Sequence, residues 1–223
     1  MSAAGAGAAA VDRLIAAGRA LVAAGLSPGD SGNVSVRDGD RLLMTGTGTR
    51  LGALTPADIS VLTLDGTLVD GPRPSKEVAL HLALYAKNPG HAAVVHVHSP
   101  SAVALACLEP WSEHSAVPPL TPYVLMRVGQ VPLLPFVAPG SSALGSVVID
   151  SSLPFTAALL ANHGSVASGV DLDGAVIAAV EVEESCRIAL LTRGADRRLI
   201  PADQVMAITT AWGTPWTGPA TLG

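Results

Sequence analysis

The segment AAVVHVHS over 92–99 constrains this chain more than any other, because it sets two histidines one residue apart inside an apolar, β-branched run. Successive side chains of a strand point to opposite faces, so His96 and His98 project to the same side and can chelate one ion together. Val94, Val95 and Val97 mark the strand as buried, and buried imidazoles need partners that a metal would supply. A third candidate stands where the apolar run 157–161 meets Asn162, His163 and Gly164. Three histidines with an open position are the ligand count of a catalytic zinc rather than of a closed structural one. Each signal has a plainer reading: an H-x-H pair also occurs as exposed strand residues or as rings bonded to neighbouring carbonyls. His163 alone, before a glycine, reads more readily as a turn residue.

A length of 223 residues suits one compact domain with its own core, expected over 11–223 behind a frayed glycine-alanine lead at 1–10. That lead has no basic start, so a secretory signal is not expected. The mean hydropathy of +0.45 comes from alanine and valine, and no run approaches the length that spans a bilayer, so no membrane partner is expected. A net charge of −5 with 13 Lys plus Arg, and few aromatic residues, argues against nucleic acid. Cys107 and Cys186 lie in alanine-rich, helix-like surroundings without metal or redox spacing, which predicts two buried free thiols and a reducing, cytoplasmic setting.

Val11, Leu14, Ile15, Leu21 and Val22 recur at helical spacing up to a stop at Gly25. Hairpins are predicted from 31–37 with 41–45 and from 59–64 with 67–69, each across an Asp-Gly turn, with a short helix start at 55–58 between them. Ser75 is the expected cap of a helix running to Lys87, and further helices are expected at 101–108, 141–149, 172–192 and 202–212. Pro118, Pro119, Pro122, Pro132 and Pro135 predict extended segments, and 155–161 a strand. The class is therefore mixed α/β, a largely antiparallel sheet covered by helices.

The blocks GNVSVR (32–37), TGTG (45–48), PSKE (74–77), VHVH (95–98) and NHG (162–164), in that order, resemble the class II aldolase and adducin family, whose best-known enzyme is L-fuculose-1-phosphate aldolase. The resemblance covers nearly the whole chain and implies a three-layer α/β/α fold. Within the family, 118–129 together with 74–78 look most like the branch of 3-oxo-tetronate 4-phosphate decarboxylases. The resemblance assigns His96, His98 and His163 to a zinc ion, with Mn²⁺ as a possible substitute. Glu77 then caps the ion and serves as general acid or base. Asn33, Thr47, Gly48 and Ser75 correspond to phosphate-holding positions, and Lys76 replaces a serine of the aldolases, placing an ammonium beside the substrate's phosphate or carboxylate. Tyr123 corresponds to a tyrosine that protonates or orients the departing fragment.

Arg127 is a candidate clamp for a substrate carboxylate and, equally, a residue of a surface ion pair. His81, one helical turn after Glu77, shares its face and suits a supporting role behind the ligands. No C-terminal tyrosine matches the one the aldolases bring across a subunit boundary; Trp212 and Trp216 stand near that end. The implied reaction is loss of CO₂ through a metal-stabilised enediolate, giving dihydroxyacetone phosphate. Aldol cleavage of a sugar phosphate shares that intermediate and is the alternative, ahead of epimerase or dehydratase activity and of a non-catalytic adducin-like module. A homotetramer is implied by the resemblance alone.

Overall fold

The computed structural model describes residues 3–218. Alanine has the highest helix propensity, and here it carries α1 (Ala3–Ala23) back to the start of the described chain, where Ala10 is fully buried. Residues 3–10 of the segment expected to fray are thus helical, and residues 1–2 lie outside the described residues. The first hairpin is β1 (Asn33–Asp38) and β2 (Arg41–Thr45), and the second is β3 (Ile59–Thr63) and β4 (Leu68–Asp70). There follow α2 (Val78–Lys87), β5 (Ala93–Val97) and α3 (Pro100–Ala106).

The proline-rich stretch departs from expectation, because it contains α4 (Pro122–Arg127) as well as β6 (Leu133–Leu134). Pro122 sits in the first turn, where the missing N–H costs nothing, and so it starts a helix instead of breaking one. After α5 (Ala143–Asp150) and β7 (Ala157–Leu160) the chain forms β8 (Gly164–Gly169), a strand the sequence reading did not anticipate. It closes with α6 (Leu172–Leu191), capped by Asp171 Oδ1 accepting from the Gly174 N–H at 2.7 Å, and α7 (Ala202–Trp212).

Among the described residues, eight strands form one sheet in the order β4-β3-β2-β1-β5-β8-β7-β6, antiparallel throughout except for the β6–β7 pair. Alternation along the strands feeds two cores. Val34, Val36, Ala93, Val95, Val97 and Leu159 face a layer made of α1, α3, α4, α6 and α7. Leu42, Met44, Val94, Leu160 and Val166 face α2 and α5 on the other side. Helices on both faces of a mostly antiparallel sheet make the three-layer α/β/α arrangement. Among the described residues no helix is long and apolar enough to cross a membrane. Cys186 is buried, and burial pushes its thiol pKa up, whereas Cys107, at the end of short α3, is exposed, which corrects the expectation for that residue.

Candidate metal centre and its cavity

His96 opposes Asn33 of β1 and Val166 of β8, so the strand period sends it, with His98, toward the α2 layer. Asn33 is brought close by Gly32, whose φ is +110° and whose hydrogen points at the His96 carbonyl; a Cβ there would lie 2.6 Å from that oxygen. His98 leaves β5 into α3, whose first amides, Ser101 and Ala102, donate to the two carboxylate oxygens of Glu183 at 2.9 and 2.8 Å. That remote cap anchors the chain just beyond the ligand. His163 occupies the three-residue turn between β7 and β8, where Asn162 takes a left-handed φ of 55°. Glu77, not Ser75, is the residue at the N-terminus of α2; Ser75 Oγ instead accepts from the Glu77 N–H at 3.3 Å.

Donor atoms of Glu77, His96, His98 and His163 all lie within 4.8 Å of one another. Nε2 of His96 is 3.0 Å from Nε2 of His98 and 3.2 Å from Glu77 Oε2, and Nε2 of His163 is 3.4 Å from Glu77 Oε1. His96 Nδ1 donates to the Ser165 carbonyl at 2.9 Å, which leaves Nε2 as the nitrogen that can present a lone pair to the cluster. Lone pairs therefore converge on one point, and both nitrogens of buried His163 lack a hydrogen-bond partner. A cation satisfies all of them at once, and the mixed imidazole and carboxylate set suits a divalent metal.

The titration behaviour agrees with that chemistry. Burial, reinforced by His96 and His163, pulls His98 down to about 4, and burial followed by His96 also lowers His163. Both rings therefore stay neutral and able to ligate near neutral pH. Burial alone would raise Glu77, but its contacts with His96, the Asn33 N–H and nearby His163 outweigh it and hold the carboxyl well below its usual range. Asn33 Nδ2 donates to Glu77 Oε2 at 2.8 Å.

Beside the cluster opens a cavity of about 450 Å³ whose walls include Asn33, Thr47, Gly48, Ser75, Lys76, Glu77 and His98. Six of the seven are the sequence's candidates around the substrate, and the seventh, His98, joins them to the metal cluster. Thr47 N–H already donates to the Arg73 carbonyl at 2.9 Å, so Thr47 offers an anion its hydroxyl rather than its amide. Ser31, Thr49, Pro139 and Gly140 also line this space and carried no sequence signal. Tyr123 and Arg127 do not line it. Tyr123 is 59% exposed on α4, and Arg127 Nε pairs with Glu181 Oε1 at 3.5 Å. Trp212 is exposed at the end of α7, and Trp216 packs against His114 and Trp111.

Residues 12–190 match the family described as the class II aldolase and adducin N-terminal domain, and the chain belongs to that family. It is 39% identical over 193 residues to a 3-oxo-tetronate 4-phosphate decarboxylase of Haemophilus influenzae, covering 86% of this chain and 92% of that one. The crystal structure of YgbL from Klebsiella pneumoniae, described as an aldolase, epimerase or decarboxylase, superposes with a TM-score of 0.84 at 37% identity, over 89% of this chain and 97% of the other. An L-fuculose 1-phosphate aldolase superposes with a TM-score of 0.81 at 27% identity, over 92% and 96%.

Proposed function

We propose that this protein is a lyase, a zinc-dependent cytoplasmic decarboxylase that converts 3-oxo-tetronate 4-phosphate to dihydroxyacetone phosphate and CO₂. The observation that carries the reading is the junction of two half-sites: the histidine and glutamate cluster shares Glu77 and His98 with a cavity walled by Lys76, Ser75 and Thr47. The name of the Haemophilus relative directs the choice of substrate. A divalent cation held by His96, His98 and His163 would supply Lewis-acid stabilisation of negative charge on the substrate oxygens.

The chain's own groups do the rest. Hydroxyls of Thr47 and Ser75, the Asn33 amide and the Lys76 ammonium bind the terminal phosphate, giving remote binding energy that fixes the carboxylate out of the plane of the C3 carbonyl. When the C1–C2 bond breaks, its electron pair flows into that carbonyl and CO₂ leaves. Glu77, ionised at rest, then relays one proton from water to C2, which completes dihydroxyacetone phosphate. Tyr123 and Arg127 lie outside the cavity of their own chain, so they serve the reaction only across a subunit boundary of a homotetramer.

Zinc-loaded protein incubated with 3-oxo-tetronate 4-phosphate is expected to release CO₂ in step with dihydroxyacetone phosphate, measured by a coupled reductase assay. Absence of CO₂ together with cleavage of a ketose 1-phosphate replaces this reading with aldol cleavage, the alternative favoured by the likeness to the fuculose 1-phosphate enzyme.

A further inference from the structure

Behind Glu77 the sheet buries polar groups that no ion or substrate in the cavity can touch. His81 and Ser35 are fully buried and Tyr85 is 2% exposed. His81 Nε2 lies 2.6 Å from Asn33 Oδ1, His81 Nδ1 lies 2.7 Å from Ser35 Oγ, and Ser35 Oγ lies 2.8 Å from the Tyr85 hydroxyl. The far end is clamped: the Arg37 guanidinium stacks 4.3 Å over the Tyr85 ring and donates to the carbonyls of Pro89 and His91.

The carboxylate of Glu77 only accepts, so the Asn33 NH₂ must face it and the Asn33 oxygen must face His81. His81 Nε2 therefore carries the hydrogen. With the hydrogen on Nε2, the imidazole leaves Nδ1 to accept from the Ser35 hydroxyl, which in turn accepts from Tyr85. The row thus runs from Tyr85 toward Glu77, with the Ala92 carbonyl, 3.5 Å from the Tyr85 hydroxyl, as that group's other acceptor. A leucine or valine row would pack this face as stably, since a buried polar chain gains little net energy and is costly when broken. What the polar row adds is orientation.

From this we infer that His81, braced by Ser35 and Tyr85, is a positioning residue: it locks the Asn33 amide with its NH₂ toward Glu77 and so fixes the aim of that carboxylate. The role rests on the assignment of Glu77 above. Without the His81 N–H, the Asn33 oxygen loses its partner and the amide is anchored at one end only, so its NH₂ and the Glu77 carboxylate that it holds can swing together off their bearing.

The test uses zinc-loaded full-length protein and two readouts. Long-range ¹H–¹⁵N correlation on histidine-labelled wild type is expected to show His81 protonated on Nε2 and bare on Nδ1; the opposite tautomer overturns the proposal whatever reaction the enzyme performs. In kinetics, His81→Leu is expected to lower kcat by about 10- to 100-fold with zinc content within about twofold of wild type. The double variant with Asn33→Ala is expected to be no slower than Asn33→Ala alone, because His81 acts through that amide. Losses that multiply in the double variant, or a His81→Leu enzyme with wild-type kcat, overturn it. Ser35→Ala repeats the measurement more gently if His81→Leu fails to fold, and its expected signature is a smaller kcat loss that likewise disappears in the Asn33→Ala background. Should neither decarboxylation nor aldol cleavage be detected, the tautomer spectrum alone decides.

Discussion

The two faces of the same sheet are built on opposite terms. Toward α1 and α6 the central strands present Val34, Val36, Val95, Val97 and Leu159, a dry surface. Toward α2 the same strands present Asn33, Ser35 and His96, and the helix answers with Glu77, His81 and Tyr85. Moving one residue along β5 crosses from one regime to the other. The difference teaches that the valines hold the strand while its histidines are free to be chosen for chemistry, and substitutions on the two sides should fail in different currencies.

The sharpest break comes from His98→Ala. Loss of one ligand is expected to remove bound metal, measured by elemental analysis, and to abolish turnover while the fold persists. On the opposite face, Val95→Ala is expected to cost about 2 kcal/mol of stability in urea unfolding while kcat and metal content hold. If the valine variant loses metal as readily as the histidine variant, the two faces are not separable. Next in size, Glu77→Gln is expected to retain metal and lose about 10²- to 10⁴-fold in kcat, the range of a general acid or base. Equal metal loss would make Glu77 chiefly a ligand.

Acid should single out the polar face of the metal-free protein. Burial, more than any other cause, holds His81 at about 3 and His98 at about 4, both below the ordinary 6.5. As pH falls below 6.5 the unfolded chain therefore takes up protons first, so stability is complete above that value and declines toward the folded pKa. Glu77, depressed from 4.5, adds stability that is present above that pH and is lost as pH falls through its lowered pKa. The unfolding free energy from urea titrations should fall with a slope of about 1.4 kcal/mol per pH unit for His81, and less for the partly solvated His98. A profile flat from pH 6.5 to 4 would mean that both rings titrate normally. The smallest effect is expected at the exposed mouth: Lys76→Ser should raise KM about tenfold, equivalent to about 1.4 kcal/mol, with kcat little changed. An unchanged KM would place the ammonium outside the phosphate's reach.

The part of the site that was legible in the sequence is the part written in a period. His96 and His98 share a face because strands repeat every two residues, and His81 joins Glu77 because helices repeat every three to four. Tyr85 and Ser35 obey the same periods, four after His81 and two after Asn33, yet neither residue type announces a buried network. β8 escaped notice because it is written in glycine, serine, alanine and one valine. Its small residues answer close neighbours: a Cβ on Gly164 would lie 2.5 Å from the Val97 carbonyl, and one on Gly169 2.4 Å from the Ala175 nitrogen. Propensity has little to say where packing distance decides. Proline misled at 122 for the converse reason, since its effect depends on whether it stands at the start or the middle of a turn. Tyr123 and Arg127 mark the limit of motif reading, since their motif positions placed them at the site and the fold leaves them outside its cavity.

The turn carrying His163 has a further consequence for biosynthesis. A growing polypeptide offers Glu77, His96 and His98 well before the last imidazole has been made, and a full donor set exists only after β7 has doubled back into β8 beside β5. Ion capture thus rewards only chains whose topology is complete, adding RT ln(1 + [M]/Kd) to the folded state alone. The cation would be a seal applied at the end of assembly, withheld from every truncated or mispaired copy.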